Sequence, residues 1–158
     1  MPEPAWLATL ELRSPAEEIS ALLAALVPAI ERRFHKVTTE LGLSKAQAQL
    51  LAQLPLDQAL SQREVSQRLH CAPSSVVGLI DSLEQRGWLT RRVDRADRRI
   101  NALVLTPAGR DARERLLRQL LEPPEAIRRL SLEAQLQMRD VLLALMREFG
   151  EPTVEHCD

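Results

Sequence analysis

Hydrophobic residues recur at helical spacing along most of this 158-residue chain. Residues three and four positions apart share one face of a helix, so each such segment predicts an amphipathic helix. Two short apolar runs, 88–93 and 100–105, are instead typical of strands joined by a turn. Pro28 is expected to bend the first helix, and Pro123-Pro124 to interrupt a later one. The predicted helices cover residues 14–41, 44–54, 61–69, 73–86, 107–121 and 131–149.

Residues 61–87 carry the boundary signals of two helices joined by a sharp turn. Ser61 and Glu64 form a capping box that starts the first of them. Pro73 suits the first position of the second helix, and Gly87 supplies its left-handed stop. The predicted inward stripe of this second helix is Val76, Leu79, Ile80 and Leu83, and helical geometry turns Ser74, Val77, Gly78, Asp81 and Gln85 outward.

The hairpin predicted next along the chain concentrates arginine. Its turn is the run Asp94-Arg95-Ala96-Asp97, and Arg91, Arg92, Arg95, Arg98 and Arg99 lie in or beside it. A phosphate backbone or a narrow minor groove attracts such charge, whereas a hairpin that only closes a core does not need it. A solvated charged hairpin is the alternative interpretation. Placed after a helix, a turn and a helix, the hairpin indicates a winged helix-turn-helix, whose second helix fits the major groove of DNA.

Several motifs in this region are specific enough to indicate a family. The run 92–99, which ends in Asp-Arg-Arg, is followed by Leu105-Thr106-Pro107-Ala108-Gly109, and Gly42-Leu43-Ser44 with Gln47 precedes the helix pair. With Leu83-Glu84-Gln85-Arg86-Gly87, these motifs resemble the multiple-antibiotic-resistance regulator (MarR) family over residues 42–110. The resemblance implies a winged helix-turn-helix transcription regulator that binds a pseudo-palindromic operator in double-stranded DNA. Such proteins are usually dimeric repressors released by a small ligand or an oxidant.

The resemblance also implies which residues bind DNA. Many relatives have a threonine and an arginine where this chain has Val77 and Gly78, so the groove-facing surface departs from the family pattern, although Val77 can touch a thymine methyl. On the wing, Arg99 is expected to enter the minor groove while Asp97 holds its guanidinium, and the neighbouring arginines lie nearer phosphates. The expected DNA-binding residues are Ser74, Ser75, Val77, Gly78, Arg95, Asp97, Arg98 and Arg99.

An effector pocket is expected from the resemblance between the dimer helices and the DNA-binding lobe. The aromatic and polar residues that can contribute to it are Trp6, Arg33, Phe34 and His35. Ordinary packing accounts equally well for Trp6 and Phe34.

The whole chain, 1–158, is expected to form a single unit with a lobe at 42–110 and helical dimerisation regions at 14–41 and 111–150. Its terminal helices carry more apolar surface than one small winged lobe can cover. Pairing with a second copy buries that surface and presents two recognition helices to successive major grooves. An intrachain helical bundle is the alternative.

Charge is distributed unevenly although the net charge is only −1. Residues 61–110 hold nine arginines against five acidic residues, or +4, while both flanks are acidic. The basic charge therefore coincides with the predicted DNA-binding motif. Neither a membrane span nor a signal peptide is expected, and two cysteines do not make a disulfide framework, which is consistent with a cytoplasmic protein.

Other chemistry is sparse in the sequence. No catalytic triad, phosphate-binding glycine loop or paired-carboxylate motif stands out, so neither an enzyme nor a cofactor is expected. The pairs His70-Cys71 and His156-Cys157 offer four zinc ligands in principle, but neighbouring side chains point apart and no metal site is expected. Cys71 is interpreted as a buried turn residue, with an oxidant sensor as the alternative. Cys157 is interpreted as an exposed bystander, with a cross-link between subunits as the alternative. A winged-helix module for protein partners, or an unrecognised enzyme, is the alternative function.

Overall fold

A computed structural model of the chain describes residues 14–93 and 101–149, together with Trp6, Thr9 and Glu11. The mainly α fold with a β-hairpin that the sequence predicts is confirmed, whereas α6 and the two-residue strand β1 were not predicted. The elements are α1 (Pro15–Glu40), α2 (Lys45–Gln53), β1 (Leu60–Ser61), α3 (Gln62–Leu69), α4 (Pro73–Gln85), β2 (Leu89–Val93), β3 (Asn101–Leu105), α5 (Pro107–Leu120), α6 (Glu125–Arg128) and α7 (Leu132–Phe149).

Helix boundaries fall where the local sequence signals predict them. Ser44 and Ser61 each form a complete capping box, in which the serine side chain accepts from the third helical residue and that residue's side chain accepts from the serine N–H. Ser14 caps α1, which continues through Pro28 to Glu40. Each such cap stabilises a helix by about 1 kcal/mol. The hydrogen bond from the Ser61 hydroxyl also lowers the pKa of Glu64.

The three strands form an antiparallel sheet in the order β1-β3-β2. Strand β3 pairs with β2 from Leu89 opposite Leu105 to the backbone of Val93 opposite Asn101, and with β1 through Leu60 opposite Leu103. Because β1 runs directly into α3, this sheet fixes the start of the helix pair to the base of the hairpin.

The hydrophobic core is built around α4 and extends from Val37 of α1 to Leu116 of α5. Val76, Ile80 and Leu83 of α4 are fully buried, as predicted, and Leu79 is half-buried against them. Leucines from α2, α3, the sheet and α5 complete the cluster. Complete burial of a side chain of this size contributes about 1.5–3 kcal/mol, so the inner face of α4 is firmly held.

The last helix, α7, is not part of this core, since none of its residues is buried. Leu132 is 72% exposed and Phe149 is 81% exposed, and Ile30 of α1 is 64% exposed. An intrachain bundle that covers these apolar faces is therefore not formed within the described residues. No helix in that part of the chain is long and apolar enough to span a bilayer.

Candidate nucleic-acid interface

The turn between α3 and α4 is made by a left-handed residue. His70 has φ 52°, and its N–H reaches back to the carbonyl of Gln67, while the N–H of Cys71 donates to the carbonyl of Ser66 at 3.0 Å. Helix α4 then begins at Pro73, whose carbonyl accepts from the Gln62 side chain at 3.2 Å. These contacts fix α4 relative to α3 and leave its outer face free of the core.

The outer face of α4 is the one that the sequence predicts. Ser74, Val77 and Gly78 are exposed, and Ser75 is half-buried at the edge of this face. Helix α4 contains no lysine or arginine. Any favourable charge for DNA must therefore come from neighbouring elements.

Arg91 of β2 is held by two acidic residues of α4. Its guanidinium donates to Asp81 Oδ1 and Glu84 Oε2, and its backbone N–H donates to Glu84 Oε1 at 3.2 Å. The hydrogen bond to Asp81 is the main cause of a raised pKa for Arg91. This cluster offsets part of the negative charge of Asp81 and Glu84 and ties the wing strand to α4. Arg92, the next residue, is exposed and remains available.

The tip of the wing lies outside the described residues. Arg95, Asp97, Arg98 and Arg99 belong to the segment 94–100, which connects the paired ends of β2 and β3. Their roles therefore remain predictions from the sequence.

The C-terminal end of α4 is held on the turn between α1 and α2. Arg86 donates to the carbonyls of Leu41 and Gly42, and its guanidinium lies 5.2 Å from the centre of the Trp88 ring. The side chain of Gln47, the capping residue of α2, donates to Ser82 Oγ at 2.6 Å. Several residues of the family motifs thus meet in one place, which anchors the recognition helix to the start of the lobe.

The motif from Leu105 to Gly109 performs a second anchoring role. The Thr106 hydroxyl accepts from the Gly109 N–H at 3.0 Å, and it donates to the carbonyl of Gly87 at 2.6 Å. The Thr106 N–H donates to the carbonyl of Trp88 at 3.1 Å. A Cβ on Gly109 would lie only 1.9 Å from that Trp88 oxygen, so α5 can pack here only because residue 109 has no side chain.

A cavity of about 500 Å³ lies between α1 and the start of α2. Phe34 and His35 line it, as two of the four expected effector residues. Arg33 does not line it and instead donates to the carbonyls of Gln119 (2.8 Å) and Glu122 (2.5 Å), while Trp6 also lies outside its lining. Gln49, which the sequence did not single out, lines the cavity and has a buried Oε1 with no hydrogen-bond partner in the described chain.

Cys71 is half-buried against the core, as expected for a turn residue, but it is disulfide-bonded and is not a free thiol. His156 and Cys157 lie outside the described residues. Within the described ranges, no group of three or more His, Cys, Asp or Glu side chains is arranged to hold a metal ion. His70 is used as the cap of α3.

Comparison with known proteins identifies the same family as the motifs. The model of the MarR family matches residues 41–100. The HTH-type transcriptional repressor MdtR of Bacillus subtilis (strain 168) is 32% identical over 92 residues, which span 58% of this chain and 59% of that relative. The crystal structure of YusO from Bacillus subtilis is 27% identical with a TM-score of 0.66, covering 85% of this chain and 99% of YusO.

A second structural relative carries a ligand. CouR from Rhodococcus jostii RHA1, solved bound to p-coumaroyl-CoA, is 27% identical with a TM-score of 0.63, and the match covers 85% of this chain and 95% of CouR. Both structural matches extend over 85% of this chain, beyond the residues that the family model covers. Residues 41–100 are therefore similar to the MarR family, and the fold of the chain resembles that of YusO and CouR.

Proposed function

We propose that this protein is a sequence-specific DNA-binding transcriptional repressor that acts as a homodimer in the cytoplasm. The observation that carries the proposal is the exposed outer face of α4, set beside an arginine-bearing hairpin that Arg91 fixes to it. An α-helix fits the major groove while a hairpin beside it reaches the backbone or the minor groove. No catalytic activity and no cofactor are assigned to the chain.

In the proposed complex, Ser74, Ser75, Val77 and Gly78 face the bases, and the wing supplies the positive charge. Arg99 enters the minor groove beside Asp97, where the narrow groove concentrates negative potential. The other wing arginines, Arg95 and Arg98, contact phosphates, which adds affinity without reading sequence.

The exposed apolar faces of α1 and α7 support a homodimer as the form that binds DNA. Leu26 and Ile30 on α1 are 49% and 64% exposed, and Val141 and Met146 on α7 are 57% and 59% exposed. Apolar surface of this extent is unusual on a monomer and is typical of an interface. A twofold dimer places two α4 helices about 34 Å apart, one turn of DNA, on a pseudo-palindromic operator.

The cavity between α1 and α2 supports a small-molecule effector. Phe34 offers an aromatic surface, and Gln49, which also lines the cavity, has a buried amide oxygen without a hydrogen-bond partner in the described chain. The relative CouR was solved with p-coumaroyl-CoA bound. We propose that an effector here changes the separation of the two lobes, so that both half-sites cannot be occupied together.

The test of DNA binding is a titration of a labelled duplex that the full-length protein selects from a random-sequence library. Binding should weaken steeply with salt, because bound phosphates release counterions. Arg99→Ala should lower affinity by about 1–3 kcal/mol, and Arg98→Ala should mainly flatten the salt dependence by about one unit. Arg13→Ala, outside the lobe, is the control and should change neither quantity.

A protein that selects no duplex even at low salt would contradict the proposal. That result would instead favour a winged-helix module for protein partners. Equal affinities for the wild type and Arg99→Ala, both folded and dimeric, would remove the wing from the DNA-binding surface.

A further inference from the structure

The outer face of α4 has a glycine in its middle that no contact within the described residues requires. Gly78 is the sixth residue of the thirteen in this helix, and it is exposed. A Cβ built on it would meet no heavy atom of the described residues within 4 Å. Glycine is among the least favourable residues inside a helix, because the unfolded chain gains freedom from it and the helix gains no contact.

The other glycines within the described residues each have a structural reason. Gly42 and Gly87 adopt φ values of 64° and 69°, which favour glycine. Gly109 lies against the Trp88 carbonyl, where any Cβ would clash. Gly78 has neither a positive φ nor a close neighbour in the described chain. The lack of a side chain at position 78 is therefore best explained by a molecule that approaches α4 from outside the described chain.

The surroundings of Gly78 indicate the chemistry of that approach. Val77, beside it, is an aliphatic side chain that is 38% exposed. The acidic residue one turn further on, Asp81, is paired with Arg91, which also pairs with Glu84. With no cation on α4, this surface has neither the charge to bind phosphate nor an arginine to read guanine. Around Gly78 the surface of α4 is small and carries no cation, and the side chain of Val77 offers methyl groups.

We propose that Gly78 permits an unusually close approach of the α4 backbone to the floor of the major groove, so that Val77 packs on the C5-methyl group of a thymine. This inference rests on the proposed DNA-binding function and deepens it. Only thymine presents a methyl group in the major groove, so apolar contact there distinguishes it from the other bases. Base specificity at this position thus comes from apolar packing. It does not require a hydrogen bond from a charged or amide side chain.

The experiment combines two variants of the full-length protein with changes in the DNA. Gly78→Ala should raise the midpoint of thermal unfolding by about 2–4 °C, because alanine favours the helix. The same variant should bind the duplex selected by the wild type about tenfold more weakly, because the added methyl keeps α4 from the groove floor. A variant that is more stable but binds DNA more weakly shows that Gly78 serves DNA binding and not the packing of the protein.

The contact to thymine is tested by replacing single thymines of that duplex with deoxyuridine, which lacks only the methyl group. One such replacement in each half-site should weaken wild-type binding severalfold, and it should have little further effect on Val77→Ala, because both changes remove the same contact. Deoxyuridine at positions outside the half-sites is the matched control. If no thymine methyl contributes to wild-type affinity, the contact assigned to Val77 is wrong.

The outcomes for Gly78 distinguish this inference from the function on which it rests. If the wild type selects a duplex and Gly78→Ala binds it equally well, close approach is refuted while DNA binding stands. If Gly78→Ala lowers the unfolding temperature, the glycine serves the protein's own packing and the inference fails. If the wild type selects no duplex, the proposed function fails and this inference fails with it.

Discussion

Replacing Gly109 with alanine is expected to destabilise the fold strongly through a single methyl group. Gly109 lies in the first turn of α5, and its Cβ position is 1.9 Å from the Trp88 oxygen and 2.7 Å from the Trp88 carbonyl carbon. Both of these are backbone atoms. A flexible side chain can move away from an added methyl at little cost, whereas a backbone carbonyl moves only with the chain around it.

The expected loss of stability depends on how far the Trp88 carbonyl must move. The carbonyl has to retreat by roughly 1.5 Å to restore an ordinary contact, and it accepts a hydrogen bond from Thr106 that this movement weakens. Overpacking of this kind costs about 1–3 kcal/mol and a lost hydrogen bond about 0.5–1.5 kcal/mol. Because alanine has a higher helix propensity than glycine, the substitution also stabilises α5 by up to about 1 kcal/mol. With the full propensity gain subtracted, the expected net loss is about 0.5–3.5 kcal/mol, or roughly 1–14 °C in the unfolding midpoint.

Thermal and urea unfolding of wild type and variant, followed by circular dichroism at one protomer concentration, measure this loss. Fixed concentration matters because the stability of an oligomer depends on it. Gly78→Ala is the matched control, since it adds the same methyl to a helix where no described atom lies nearby, and it should stabilise the protein. A Gly109→Ala protein as stable as the wild type would refute the steric argument.

Three further predictions concern ion pairs, pH and assembly. Arg91→Ala should lower the free energy of unfolding by about 1 kcal/mol, and Asp81→Ala should add little to that loss, because the two residues share one ion pair; urea titrations that give fully additive losses would contradict it. The lowered pKa of Glu64 means that its carboxylate stabilises the fold at pH values above its usual 4.5 and that this stability is lost as pH falls through the folded pKa. The urea midpoint of the wild type relative to Glu64→Gln, which does not titrate, should therefore be constant near neutrality and fall only in the acid range; a difference independent of pH would exclude the carboxylate. Removal of residues 131–158 should yield monomers or insoluble chains, and a soluble, stable dimer in sedimentation after that truncation would exclude α7 from the interface.

Much of the helical framework could be predicted because its signals are local. The caps at Ser44 and Ser61, the proline at the start of α4 and the stop at Gly87 each act within three or four residues. The buried stripe of α4 was also predictable, since helical periodicity fixes which residues share a face. The outer face that is proposed to meet DNA follows from the same geometry.

The pairing of Arg91 was not predictable from its neighbours. Its partners are ten and seven positions earlier in the chain and lie on a different element. In the sequence, Arg91 is one arginine of a basic run, and its occupied role appears only when β2 packs beside α4. Strand β1 was missed for a related reason, because two residues have no periodicity and become a strand only by pairing with β3.

Most of the helices, the hairpin strands, the helix caps and the buried face of α4 could be read from the sequence, because these depend on side chains a few positions apart. The tertiary structure alone decided which long-range groups meet. Gly78 and Gly109 show the difference, since both are glycines within predicted helices and nothing local distinguishes them. Folding brings the Trp88 carbonyl against Gly109 and leaves Gly78 open within the described chain, because steric constraint depends on what packs against a residue from elsewhere in the fold.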